Sequence, residues 1–409
     1  MLELSEVITS ADFARTARHP AFPQAFTRCR KLPLPGLIAA LLCQRGQSQQ
    51  VTLDSFFASL CDNAVPLRGI SDRAFAKARL QLHMPALSAL NDLLVRRADE
   101  MGLIPRWHGL RVVAADGSVL MPAVRASHLQ RSAARDQRVL GLLLPGAELM
   151  LHCEVYSAQG CERAMLVEAF DKLGPGDVVV LDRGYPAAWL VALLLQRKLH
   201  FCMRCDISSW SVVQRFVRSG LDECWVTLNE PSADDDKTWG CGRAAPRVRL
   251  VRQTSPSGAI RVLLTDLDSQ AYPCDAFGDL YHQRWAIEEG FKRLKHRMAL
   301  ESVSGLSQQA LIIDVAAKVL ADNLASLLCA AAAAQQDLAK RSRKCNRSYA
   351  AALLQRALPR LIMVVGDWLT YLNHVLAQLG ANTQRFIPGR TRPRPPHPIK
   401  PHPSLAYKR

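Results

Sequence analysis

The sequence predicts an α/β chain: a mixed-sheet core with a β-rich insertion, flanked by helical regions on both sides. Three observations predict it. From about Gly109 to Asp206, extended apolar runs alternate with helical stretches in the order β-β-β-α-β-α-β, which calls for a mixed sheet with crossover helices. That rhythm breaks between Ser208 and Ala259, where short β-like runs surround an acidic stretch. Both flanks read as helix, the first with a turn around Pro66 and Gly69.

In chain order, residues 1–105 form the first helical region, a candidate for DNA binding. PGLIAALLC and SFFASLC are short helices, and Ser71 is a good N-cap for the helix through Arg79. Arg73 and Lys77, four apart, share a face of that helix, and Arg79 lies on another. Residues 106–206 form the first part of the core. There LRVVAADGSVLM is an apolar run ending in an acid and a glycine. VLGLLLPGAELMLHCEVY is a Pro-Gly hairpin, GDVVVLDRGY a buried strand ending in an acid, and HFCMRCDI a further strand. Residues 207–259 are the β-rich insertion, with SVVQRFV, ECWVTL and RVRLVRQ as β-like runs and Asp234, Asp235 and Asp236 as an acidic loop. Residues 260–305 complete the core with the strand IRVLLTDL and a long helix from about Asp275 past Lys295. Helices fill 306–385, and 386–409 is a basic, Pro-rich tail with polyproline character.

Of the 409 residues, 49% are hydrophobic, which excludes disorder for most of the length. A net charge of +16 biases the chain toward a polyanion, nucleic acid or an anionic membrane face. Two acid-free segments concentrate it. One holds Lys340, Arg341, Arg343, Lys344 and Arg347; the other runs from Pro388 and holds Arg390, Arg392, Arg394, Lys400, Lys408 and Arg409. The apolar stretch from Ala310 to Ala334 is interrupted by Asp314, Lys318 and Asp322 at i, i+4 and i+8, the polar stripe of an amphipathic helix rather than a membrane span. The first residues lack a secretory pattern, so an intracellular chain is expected. Cys202 and Cys205 have C-x-x-C spacing, but no second pair completes a zinc set, and buried free thiols are the expectation.

Asp116 and Asp182 each end a buried run, where side chains point into the crevice beyond the sheet. A third acid, Glu288, falls on the helix near Lys295. At about 100° per residue, Tyr281, Arg284, Glu288, Lys292 and Lys295 share an arc of about 80°, beside an apolar arc of Leu280, Ile287, Phe291, Leu294 and Met298. Carboxylates for a hard divalent cation beside cations for phosphates suit phosphoryl transfer on DNA. The same arc also reads as a salt-bridged exposed helix, with Arg284–Glu288 and Glu288–Lys292 at i,i+4.

The order Tyr281, Arg284, Glu288, Lys295 resembles the Tyr-Arg-Glu-Lys signature of bacterial insertion-sequence DDE transposases of family four. Asp116-Gly117-Ser118 and Asp182-Arg183-Gly184-Tyr185 are similar to that family's two Asp segments, HFCMRCD and LLTDL to strands near them, and Ser71–Arg79 to an N-terminal segment. The resemblance spans about residues 50–305. It implies a ribonuclease-H-like core in which Asp116, Asp182 and Glu288 are both the catalytic triad and the metal ligands, for Mg²⁺ with Mn²⁺ as the substitute. It further implies DNA contacts by Tyr281, Arg284, Lys292, Lys295 and Arg183. Its implied partners are double-stranded DNA (inverted-repeat ends and target) and a second copy of the chain, with no membrane, in a bacterial cytoplasm at the nucleoid. Some members of the family hold a flipped base on a tryptophan of the insertion, and here Trp210, Trp225, Trp239 and Trp285 compete. Asp266 and Glu289 are the acids set aside, one as structural and the other as pointing away from the arc. The expected function is Mg²⁺-dependent strand cleavage and transfer. The alternatives are a non-catalytic DNA-binding protein derived from a transposase and a ribonuclease-H-like nuclease.

Overall fold

A computed structural model describes residues 1–28, 30–121, 136–208, 210–254 and 258–387. The basic tail expected beyond Pro388 lies outside the described residues. The chain divides into two compact units: residues 98–119 with 138–291, and residues 1–97, 120–137 and 292–409.

The first unit is built on one mixed sheet. Its core strands are β1 (Leu110–Leu120), β2 (Gln137–Leu144), β3 (Leu149–Ser157), β4 (Asp177–Leu181) and β5 (His200–Cys205). Three more follow: β6 (Glu223–Thr227), β7 (Arg247–Thr254) and β8 (Ile260–Thr265). The spatial order is β3-β2-β1-β4-β5-β8-β7-β6, with a two-residue strand, Arg106–Trp107, beside β1. β1, β4 and β5 run parallel, and β8, β7 and β6 continue from β5 antiparallel. This is the ribonuclease-H-like core that the strand order and the resemblance imply. β4 is buried along its whole length, as a central parallel strand covered on both faces must be. Arg111 on β1 fixes the register at the start of β4. It pairs with Asp177 through Nε at 2.6 Å and Nη2 at 2.8 Å, a bidentate contact.

The insertion differs from its expected content. SVVQRFV is helix Ser211–Ser219, because Val213 and Phe216 at i,i+3 bury one face and that outweighs the β-branched residues. The acidic loop is helix Ala233–Trp239, started by a capping box in which Ser232 and Asp235 satisfy each other's backbone donors. The remaining runs, β6 and β7, extend the core sheet. The long helix from Asp275 is also broken. It consists of Phe277–His282, Trp285–Lys292 and a π turn, Arg293–Arg297.

The second unit is helical around Gln308–Gln335. Ser71 caps the helix Asp72–Leu80 as expected, accepting from Ala74 N–H at 3.2 Å. The stripe of Asp314, Lys318 and Asp322 faces the interior rather than solvent: the three are 1%, 0% and 2% exposed. Each meets a polar partner that the sequence does not place nearby. Asp314 meets Ser304 and Arg79, Lys318 the carbonyls of Ala299 and Ser302, and Asp322 both Arg293 and Arg347. Arg347 is therefore not a surface cation of the 340–347 cluster. No helix among the described residues is long and apolar enough to cross a membrane.

Candidate active site

The parallel register places the two aspartates. Ala114 of β1 pairs with Val180 of β4, so Asp116 and Asp182, each two residues further on, stand level on adjacent strands. The Asp182 loop turns tightly, with Gly184 N–H donating to Asp182 Oδ1 at 2.8 Å. Asp116 Oδ1 accepts from Gly117 N–H at 2.9 Å.

Arg284 brings Glu288 into this site. Its Nη1 lies 3.6 Å from Asp116 Oδ2, and its Nη2 donates to Glu288 Oε1 at 3.2 Å. One buried guanidinium therefore bridges the first and third acids. It also stacks over Trp285, 5.2 Å from the ring centroid. Tyr281 is 5% exposed and packs in the core with Val178, Val180 and Cys202. The expected exposed polar arc is thus corrected: Tyr281 and Arg284 are interior, and of the two only Arg284 pairs with the acids among the described residues. Lys292 and Lys295 fall in the other compact unit, where Lys295 pairs with Glu301 at 3.4 Å. Arg183 is exposed beside Asp182.

The two acids set aside behave as expected. Asp266 is structural, accepting from Phe201 N–H at 3.0 Å and pairing with His200 Nδ1 at 2.7 Å. Glu289 is exposed. Cys202 and Cys205 are buried, and burial pushes the Cys205 thiol up to about 12. Of the tryptophans, Trp239 stacks on Trp189 at 4.7 Å, while Trp225 and Trp285 are partly exposed.

Sequence reasoning missed a fourth acid, Glu162, on the helix Glu162–Glu168 after β3. Its side chain lies against Gly117, and its charge acts on Asp116. An acid opening the helix after the hairpin was its only sequence trace.

Burial pushes Asp116 up to about 6; Arg284 opposes the shift, and Asp182 and Glu162 add to it. Between an unfolded value of about 3.9 and that folded value, the folded chain keeps a proton that the unfolded chain has released. Asp116 therefore costs stability increasingly as pH rises through this window. Without divalent metal, Asp116→Asn is expected to stabilise the chain at pH 7.5 by about 1–3 kcal/mol. The advantage should shrink as pH falls from about 6 toward 4. Thermal melts of both chains across that range check it, and equal melting at pH 7.5 would contradict the electrostatic strain.

The donor set, all carboxylate oxygen, is of the chemical kind that a hard divalent cation takes. Among the described residues, no three acidic, histidine or cysteine side chains close to metal-binding distance. The Arg284 guanidinium supplies the counter-charge between Asp116 and Glu288 instead.

Asp116, within β1 rather than at its end as expected, and Asp182, just beyond β4, stand level on adjacent parallel strands, and the helix Trp285–Lys292 brings in Glu288. Residues 135–324 match the family model described as a transposase DDE domain, a stretch that includes Asp182 and Glu288 and starts beyond Asp116. The chain is similar to the transposase InsG for insertion sequence element IS4 of Escherichia coli strain K12. They are 21% identical over 223 residues, which cover 51% of this chain and 50% of that protein. The chain thus spans about half the length of that curated relative. A solved synaptic complex of piggyBac transposase with hairpin DNA also overlays, with a TM-score of 0.41 and 11% identity, covering 95% of this chain and 86% of that one. Residues 135–324 thus carry the likeness to a transposase DDE domain, and the chain is similar to an insertion-sequence-four transposase.

Proposed function

We propose that the chain cuts and joins DNA strands at the ends of an insertion sequence, with Asp116, Asp182 and Glu288 as the catalytic carboxylates. The observation that carries this reading is the level pairing of Asp116 and Asp182 on adjacent strands, tied to Glu288 through Arg284. The three acids would hold divalent metal, Mg²⁺ or in its place Mn²⁺. Bound there, the metal supplies Lewis-acid activation of the attacking oxygen and charge stabilisation at the leaving oxygen. Arg284, desolvated over Trp285, offers a fixed positive charge beside the scissile phosphate. Tyr281 holds that guanidinium from beneath. Arg183, Lys292 and Lys295 would hold the DNA backbone, a task that needs charge and carries no sequence information. The helices of 1–105 would recognise the inverted repeats, and two copies of the chain would pair two ends at the bacterial nucleoid.

The test uses the purified chain, Mg²⁺, an oligonucleotide duplex carrying the element's end, and a target plasmid. Nicked ends and end-to-plasmid joined product are both expected. Nicking without joining would reduce the chain to a nuclease. Neither product in Mg²⁺ or Mn²⁺, with DNA binding intact, would make it a non-catalytic DNA-binding relative.

A further inference from the structure

In the helical unit, the loop before helix Leu34–Leu42 and one side of helix Asp72–Leu80 line a cavity of about 450 Å³. Its size falls within the range of small-ligand sites, about 300–1,000 Å³. Two backbone bonds tie the loop to the end of the second helix: His19 N–H donates to Gln81 O at 2.9 Å, and His83 N–H to Ala17 O at 2.8 Å.

The cavity has a charged rim and an apolar floor. Arg28, Arg30, Lys31 and Lys77 line it and are all exposed. Leu32 is buried, and Phe26, Ile70 and Ala78 are half-buried. Among the described residues no acid lines the cavity, and none of the four cations has an ion pair. Nor does the helix supply one: the residues three and four positions from Lys77 are Arg73, Ala74, Leu80 and Gln81. Four like charges around one cavity repel one another, and an anion relieves that repulsion.

A second observation is aromatic. The Phe22 ring is 41% exposed and lines the same cavity. Phe26 has a φ of 60°, a left-handed conformation that costs an aromatic residue energy and that gathers at ligand clamps. The half-buried Gln81 side chain has no hydrogen-bond partner among the described residues, so its amide can meet both a donor and an acceptor. Contacts to duplex phosphates need only a charged surface. A hollow with aromatic and aliphatic walls inside a cationic rim fits a flat base with phosphates beside it, and a base is free to enter only where it is unpaired.

We propose that this cavity takes the base of one unpaired nucleotide of a DNA strand against Phe22, with the flanking phosphates on Arg28, Arg30, Lys31 and Lys77. The proposal deepens the reading of residues 1–105 as DNA-binding and rests on it, and its test separates the two.

The full chain is titrated by fluorescence anisotropy into three labelled duplexes of one sequence. One is fully paired, one carries an extra unpaired nucleotide, and one carries an abasic sugar at that extra position. The unpaired nucleotide is expected to tighten binding about tenfold, the scale of one base stacked on an aromatic ring, and the abasic sugar to lose that gain. Phe22→Ala should abolish the gain. Ala74→Trp, at an exposed lining position, fills the cavity while every cation stays, and should abolish it too. If Phe22→Ala does not fold, as judged by thermal melting, Ala74→Trp decides the question. Lys77→Gln should lower the slope of log affinity against log salt by about 0.7–0.9. Free dAMP, with a single phosphate, should compete weakly, and dAMP that displaced the unpaired probe at the probe's own affinity would overturn the strand as occupant. A gain kept in both Phe22→Ala and Ala74→Trp would overturn the role of the cavity. Equal affinity for the paired and unpaired duplexes would overturn the proposal and leave DNA binding standing. No binding to any of the three would overturn both.

Discussion

Asp182→Asn is expected to reduce end nicking by at least about a hundredfold, since a bound metal supplies several kcal/mol of transition-state stabilisation and each 1.36 kcal/mol is a factor of ten. Asp182 is the cleanest of the three acids to remove. Its Oδ1 holds the loop by accepting from Gly184 N–H at 2.8 Å, and asparagine keeps that acceptor and the side-chain shape. The loop and its neighbour Tyr185 should therefore stay in place while the negative charge is lost. Asp116 is less clean, because its replacement also relieves the burial that pushes it up to about 6. Glu288 is less clean because it shares Arg284 with Asp116. The assay is conversion of a supercoiled plasmid carrying the element's ends to nicked circle in Mg²⁺, with a gel shift to show that DNA binding survives. Nicking within about threefold of wild type, far less than the hundredfold a metal ligand implies, would remove Asp182 from the chemistry.

The parts of this site that were legible in the sequence are those set by local rules. Asp116 and Asp182 stood out because each ends a β-branched apolar run, and two such runs in a βαβ rhythm become adjacent parallel strands. Glu288 stood out through its spacing from Tyr281, Arg284 and Lys295. The helical wheel misled beyond that point because it assumes one unbroken helix at about 100° per residue. The break at Gln283–Arg284 and the π turn at Arg293–Arg297 change the winding at both ends of the signature. Tyr281 and Arg284 turn into the core as a result. Glu162 was not legible because its contact with Gly117 joins residues 45 positions apart, and no short-range pattern encodes it. The SVVQRFV helix was misread because β-branched composition was weighed above the i,i+3 burial of Val213 and Phe216.

Asp314→Ala is expected to destabilise the helical unit by about 3–5 kcal/mol, the usual result of removing one partner from a buried charge group. On an amphipathic surface helix this position would be a solvated acid and its loss nearly silent. The structure reverses that expectation. Asp314 is 1% exposed; its Oδ1 accepts from the Ser304 hydroxyl at 2.7 Å and lies 3.9 Å from Arg79 Nη1. Lys318, one turn on, is fully buried and is held by the carbonyls of Ala299 and Ser302, and burial depresses it to about 8 while Asp314 opposes the shift. Removing the Asp314 carboxylate leaves two buried cations, Arg79 and Lys318, without that counter-charge. Asp314→Asn keeps one acceptor oxygen for Ser304 and loses the charge and the second acceptor, so it should fall between alanine and wild type. Urea denaturation of the three chains at pH 7 orders them. Alanine within about 1 kcal/mol of wild type, the range of an exposed ion pair, would mean that Arg79 and Lys318 find water or other partners. The buried polar seam would then not be what ties helix Asp72–Leu80 to helix Gln308–Gln335.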